Sequence, residues 1–264
     1  MNVPADMGRR PRSSRALVLV GIAAVLLAAL LIGLGVWQLE RLQWKLQLIA
    51  EVDARIHAAA VAPPAPPAWA GVTQADDEYR RVAARGHFLN GDESLVEAVT
   101  GKGAGFWVMT PFVTDQGFTI LVDRGFVPSD RRDPASRSAG QIAGETTVTG
   151  LLRISEPGGG FLRANDPAQG RWYSRDVAAI ARAHGLADVA PYFIDADAAP
   201  NPGGLPVGGL TVVSFPNNHF LYALTWFALA AMVLGGFGYL VHDERRLRRS
   251  LADYPADTDG RPAH

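Results

Sequence analysis

The sequence contains no cysteine. That one fact excludes disulfide scaffolding, thiol redox chemistry, Cys-ligated zinc and covalent c-type haem attachment. It also removes the thiolate pair expected of many copper carriers, because soft thiolates select Cu(I). Net charge is scarce as well. The formal balance is −1 at pH 7, so no bulk field draws the chain to nucleic acid. Catalytic motifs are missing: no Gly-x-Ser-x-Gly elbow, no Gly-Lys-Ser/Thr phosphate loop and no His-Glu-x-x-His helix. The glycine cluster Gly101-Lys102-Gly103-Ala104-Gly105 lacks the length and the final Ser/Thr of a phosphate loop and reads as a strand connection. The expectation is a chain that is not an enzyme.

What the chain has in quantity is apolar sequence in two blocks. Residues 16–39 carry no charge. At about 1.5 Å of rise per residue they reach across a hydrocarbon core of about 30 Å. A second block runs from Phe220 to Val241 without a polar face. Arg9, Arg10, Arg12 and Arg15 precede the first, and Arg245, Arg246, Arg248 and Arg249 follow the second. Short positive flanks stay in the cytoplasm. The expected order is therefore a cytoplasmic N-terminus (1–15), a first transmembrane helix (16–39), a juxtamembrane helix and Pro-rich linker (40–67), an extracytoplasmic β-rich domain (68–216), a second transmembrane helix (217–241) and a cytoplasmic tail (242–264). The fold class is two transmembrane α-helices flanking a mostly β (α+β) extracytoplasmic domain. Trp37, Trp44, Tyr222 and Trp226 mark the outer interface, where amphipathic rings settle.

Leu39, Leu42, Leu46, Ile49, Val52 and Ile56 recur at helical steps, so the first helix continues beyond the membrane until Pro63-Pro64-Ala65-Pro66-Pro67 stops it. Short strands are predicted at Tyr79–Phe88, Ser94–Val99, Phe106–Val113, Thr119–Val127, Thr146–Ile154, Tyr192–Asp195 and Leu210–Phe215. Thr114-Asp115-Gln116-Gly117 reads as a hairpin connection. One helix is expected between Ser174 as N-cap and Gly185 as stop, with Val177, Ile180 and Ala181 facing inward. Asp123-Arg124-Gly125 suggests a bulge with a local ion pair, or less readily a catalytic group. Asp76, Asp77 and Glu78 read as a solvated cluster, and His57, His87 and His184 as isolated surface residues.

Asn217-Asn218-His219 opens the second block. An interfacial imidazole there either ligates a metal or haem iron through a neutral nitrogen or caps the helix with a neighbouring asparagine. Tyr222 and Trp226, three and seven residues on, lie on the same side and make a face on which a flat apolar cofactor could rest. Arg41 and Lys45 share a face just beyond the first span. They either hold anionic groups, such as lipid phosphates or cofactor propionates, or serve as ordinary interfacial anchors.

Three segments in register with the two spans resemble one family. They are Gly35-Val36-Trp37-Gln38-Leu39-Glu40-Arg41-Leu42-Gln43-Trp44-Lys45, Ile120-Leu121-Val122-Asp123-Arg124-Gly125-Phe126-Val127-Pro128, and Asn217-Asn218-His219 with Tyr222-Ala223 and Thr225-Trp226-Phe227. The chain is similar, from about residue 33 to 241, to the Surfeit-locus-one (Shy-one) family of assembly factors for haem–copper cytochrome c oxidase. The resemblance implies a non-catalytic role in placing haem a into oxidase subunit I. It also implies that His219 is a haem-iron ligand, with haem a as a transient cofactor, and that Arg41 and Lys45 meet its propionates. Implied partners are subunit I, other assembly factors including haem A synthase, and the lipid membrane, with no nucleic acid. In the family pattern Leu-Gln follows the histidine; here Phe220-Leu221 does, which removes one polar contact. The short arginine-rich start, without transit-peptide length, leads to the expectation of a bacterial inner membrane. The competing functions are a two-pass sensor or binding protein with an exterior domain, for which residues 242–264 are too few to form a signalling module, and a membrane-bound exterior hydrolase, for which no nucleophile–base arrangement is present.

Overall fold

A computed structural model describes residues 11–160 and 162–252. Arg9 and Arg10, and the tail after Ala252, lie outside the described residues. The chain divides into two compact units, one made of the chain up to Leu48 together with Phe215 onward, the other of Ile49–Ser214.

The first unit is a helix pair. Helix α1 spans Ser14–His57, continuing past the apolar block as its periodicity predicts; the last helix, α4, spans His219–Ala252. Both are long and apolar enough to cross a membrane, and only 11% of each apolar window is buried against protein. A core helix of a soluble domain would be mostly covered; these two need lipid to cover them.

The residues of α1 that are shielded or partly shielded include Gly21, Ala24, Ala28, Leu31, Gly35, Gln38, Leu42 and Lys45, at alternating steps of three and four. On α4 the same alternation runs through His219, Ala223, Trp226, Ala230, Val233, Phe237, Leu240, Glu244 and Leu247. That spacing averages 3.5 residues and defines a coiled-coil seam. Small residues bring the backbones together, as membrane helix pairs require. A Cβ added to Gly35 would sit 2.5 Å from the Phe227 ring, and one on Gly21 would sit 2.8 Å from Phe237. At the far end the buried Glu244 accepts from the Arg12 backbone N–H at 2.7 Å and faces Arg248.

The second unit is a barrel. After a short α2 (Gln74–Asp77) come β1 (Arg81–Phe88), β2 (Ser94–Thr100), β3 (Gly103–Thr114), β4 (Thr119–Pro128) and β5 (Glu145–Ile154), then α3 (Val177–Ala183) and β6 (Val189–Ala196). The strand order is β1-β5-β6-β4-β3-β2, and a further β1–β3 pairing closes the first five into a ring. All pairings are antiparallel except β4–β6. Alternate side chains divide the core. Phe112, Ile120, Val122, Leu152, Tyr192 and Ile194 fill one cluster. Their neighbours Leu121 and Phe193, with Met109, form a second cluster with Val177 and Ile180 of α3. Period-two alternation thus buries β4 on both faces.

Several expectations hold and several do not. The Thr114–Gly117 turn forms, with Gly117 N–H donating to the Thr114 carbonyl at 3.0 Å. Leu210–Phe215, expected as a strand, carries no regular structure. The ring is already closed, so β4 and β6 offer this segment no free edge. The chain here makes single contacts instead, such as the Phe126–Val207 bridge just before the segment and the Thr211 hydroxyl donating to Asp195 at 2.6 Å. The N-cap of α3 is Asp176, whose side chain accepts from Ala179 N–H, and not Ser174; Ser174 Oγ serves the loop, accepting from Gly159 N–H. Leu46 stands exposed on α1 while Lys45 occupies the seam. Asp77 and Glu78 are buried, bound by Arg80 and Arg153, so the acidic run is not a solvated cluster. Nor is His184 isolated, since its Nε2 is 2.9 Å from Ser94 Oγ.

Candidate functional site

At the end of the helix pair where α4 begins, the seam turns polar. His219 is the first residue of α4, and its backbone N–H lies 3.4 Å from Asn217 Oδ1. Its ring faces α1, where Nδ1 is 2.7 Å from Gln38 Oε1. Among the described residues Nε2 makes no hydrogen bond. Gln38 is the sole hydrogen-bonding side chain besides Trp37 in residues 16–39. A polar group within a span signals function or pairing. By that rule Gln38 belongs among the candidate residues, although composition and motif spacing did not single it out. An interhelical hydrogen bond of this kind contributes about 0.6 kcal/mol on average in a membrane. Close packing at Gly35 and Gly21 therefore holds the helices together, and the Gln38–His219 bond chiefly orients the imidazole.

The other predicted residues are arranged unevenly around this point. Lys45 stands two helical turns from Gln38, about 10 Å along the axis, with Nζ 5.1 Å from the centroid of the Phe215 ring. Arg41 lies on the same side of α1, its guanidinium 4.5 Å over Trp44. Neither cation is ion-paired among the described residues. Trp226 is half-buried in the seam, whereas Tyr222 is 54% exposed and makes no bond to His219. Gln38 and His219 are thus joined, Arg41 and Lys45 are left free for an anion, and Tyr222 stands apart.

The barrel holds a second polar cluster that the sequence did not reveal. Across the bulge in β4, Gly125 adopts φ +118°, and Asp123 and Arg124 point to opposite faces, so the expected local ion pair does not form. Arg124 enters the end of the barrel, over Phe88 at 4.4 Å, and donates to the Gly140 carbonyl and to Asn90. Burial pushes its pKa down to about 10. Asp123, fully buried, meets Arg175 Nη1 at 3.2 Å, and the same nitrogen is 3.6 Å from Asp195, the register partner of Asp123. Glu156 pairs with Arg175 at 2.7 Å, and Arg153 joins Glu78 to Asp195. Burial, and then the charge of Asp195, push the Asp123 carboxyl up to about 8 against the pull of Arg175. Burial works against the Arg175 charge, but the Glu156 hydrogen bonds and the surrounding carboxylates hold it above the ordinary arginine value. Arg153 and Arg175 are each occupied by carboxylates, so this cluster serves as a framework of the domain.

A family model described as the SURF1 family matches residues 25–231. The chain belongs to the SURF1 family. It is 40% identical over 223 residues to the mouse Surfeit locus protein 1, covering 78% of this chain and 71% of that protein. With the human Surfeit locus protein 1 it shares 39% over 218 residues, covering 75% and 70%. A SURF1-like protein of Monosiga brevicollis is 38% identical over 221 residues, covering 79% and 82%. Family membership agrees with the resemblance drawn from the three sequence segments, and the matched region takes in both halves of the Gln38–His219 pair.

Proposed function

We propose that this SURF1-family protein assists assembly of haem–copper cytochrome c oxidase by holding haem a and delivering it to subunit I, without catalysing a reaction itself. The observation that carries the reading is the interhelical pair in which Gln38 engages one nitrogen of His219 and leaves the other unoccupied. A haem would bring an iron that accepts an imidazole nitrogen as a ligand. His219 Nε2 would supply that nitrogen, and Trp226 and Tyr222 would offer apolar ring surface to the cofactor. Arg41 and Lys45, free of carboxylate partners among the described residues, would meet the propionates. The helices' lipid-facing surfaces suit a cofactor with a long apolar tail.

The associated topology has both termini in the cytoplasm and the barrel outside, in a bacterial inner membrane. Arg12 and Arg15 before one span and Arg245–Arg249 after the other support it. Haem A synthase is the natural donor and subunit I the acceptor in this proposal, alongside other assembly factors.

The test is a visible-absorption spectrum of the protein purified from cells that make haem a. The wild-type chain should carry a haem band. His219→Ala should lose or shift it while the protein still inserts, Tyr222→Phe should change it little, and Arg41→Ala or Lys45→Ala should weaken binding without changing the ligand type. Removing the gene should lower haem a-containing oxidase partially and spare unrelated respiratory complexes. A full, unshifted haem band in His219→Ala rejects His219 as the ligand, and an unchanged oxidase spectrum in the deletion strain rejects the assembly role.

A further inference from the structure

We infer that Gln38 is the positioning residue of this site: its side-chain carbonyl holds His219 as the Nδ1–H tautomer and thereby makes Nε2 the nitrogen presented to iron. The inference rests on the reading of His219 as a haem ligand and adds to it which atom binds and what selects that atom.

The chemistry follows from the contact. Gln38 Oε1 lies 2.7 Å from His219 Nδ1. An amide oxygen can only accept, so the imidazole nitrogen opposite it must donate. A neutral imidazole has one N–H; once Nδ1 carries it, Nε2 holds the lone pair that a metal requires. The opposite tautomer would require the Gln38 amide to turn over and present its NH2 group to Nδ1. Metal-bound histidines generally donate their second ring nitrogen in this way, and the outer partner sets both ring orientation and ligand basicity.

The fold keeps this contact in place. Gln38 and His219 both sit on the seam; Gln38 is about one turn from Gly35, which lies against the Phe227 ring, and His219 is about two turns from Phe227. A turn of either helix about its axis would break that close approach. Asn217 Oδ1 lies near the His219 N–H, and the Asn218 carbonyl accepts from Tyr222 N–H, so the first turn of α4 is anchored where the imidazole leaves the backbone. No other side chain among the described residues bonds to the ring.

The experiment uses the full chain, haem-free, in lipid nanodiscs with ¹⁵N-labelled histidine, at a pH well above the ordinary histidine range. There are six histidines, and comparison with His219→Asn assigns the ring signals of interest. Wild-type His219 should show a protonated Nδ1 and an unprotonated Nε2. Gln38→Leu should lose that preference and weaken haem binding by about 10- to 100-fold. Gln38→Glu supplies an acceptor of the same reach; it should keep the tautomer, retain haem and lower the iron's reduction potential. A wild-type His219 protonated on Nε2 overturns the inference without recourse to any variant. So does a Gln38→Leu chain whose tautomer and haem affinity match wild type while His219→Ala loses the haem; the ligand reading then survives. If His219→Ala keeps a full haem spectrum, the ligand reading fails, whatever the tautomer.

Discussion

The helix pair and the barrel handle buried polar groups in opposite ways. In the helix pair polar side chains enter the seam sparingly, with Gln38 and His219 near one end and Glu244 near the other. The barrel brings Glu78, Asp123, Arg153, Glu156, Arg175 and Asp195 into one network beside a closed sheet. The contrast is instructive about function. A network in which every guanidinium is met by carboxylates is finished, whereas a helix pair that leaves one imidazole nitrogen without a hydrogen bond and two cations without a carboxylate among the described residues has chemistry left to offer. The larger share of charge is structural, and the smaller share lies at the candidate site.

The comparison breaks most sharply at Arg175. Replacing it with alanine leaves Asp123, Asp195 and Glu156 without their common cation, at an expected cost of about 3–5 kcal/mol. Hydrogen-exchange protection of the β4 and β6 amides in the full chain should fall accordingly, with α4 unaffected. Equal loss in both units would show that they unfold as one.

The next effect is a pH dependence confined to the barrel. The Asp123 pKa rises from 3.8 in the unfolded chain to about 8 in the fold. The folded state therefore binds the extra proton, and stability from this group is fully present below about 3.8 and lost as pH climbs through about 8. Protection of the β4 amides should decline across that window, and Asp123→Asn should flatten the decline. A slope that survives the substitution assigns it to another group.

A smaller effect is expected where the helices touch. Gly35→Leu drives a side chain into the Phe227 ring and should cost the pair about 1–3 kcal/mol. The chain has no cysteine, so spin labels at two introduced ones, at the exposed Leu30 and Leu234, report the interhelical distance directly. The distribution should shift or broaden, with barrel protection unchanged. Smallest of all is Arg41→Ala: the exposed guanidinium over Trp44 contributes about 0.5–1 kcal/mol, so the thermal midpoint should barely move. A large drop in stability would mean that Arg41 is structural and would weaken its assignment to an anion.

Much of the architecture was legible because it depends on local rules. Two uninterrupted apolar blocks read as helices long enough to span a membrane, and the β-branched apolar run in residues 119–127 read as a strand. Gly185, at φ +64°, ends α3 as its position suggests. His219 was visible as a polar residue at the edge of an apolar run. The failures share a cause. Leu210–Phe215 has strand composition but found no edge, and Glu78 looked solvated because the Arg153 that binds it comes from β5, far along the chain.

Composition and periodicity alone determined the two long apolar helices, the continuation of α1 past its apolar block and the strand-rich middle, because each follows from hydrophobic burial at a period of 3.6 or 2 along a single segment. The register between segments had to come from the tertiary structure. Pairing β4 in parallel with β6 set Asp123 beside Asp195, where Arg175 reaches both. Packing a 3.5-residue seam around Gly35 set Gln38, 181 residues away in sequence, against His219. A hydrogen bond at 2.7 Å depends on which turn of one helix faces which turn of another, and only the packed backbones carry that information.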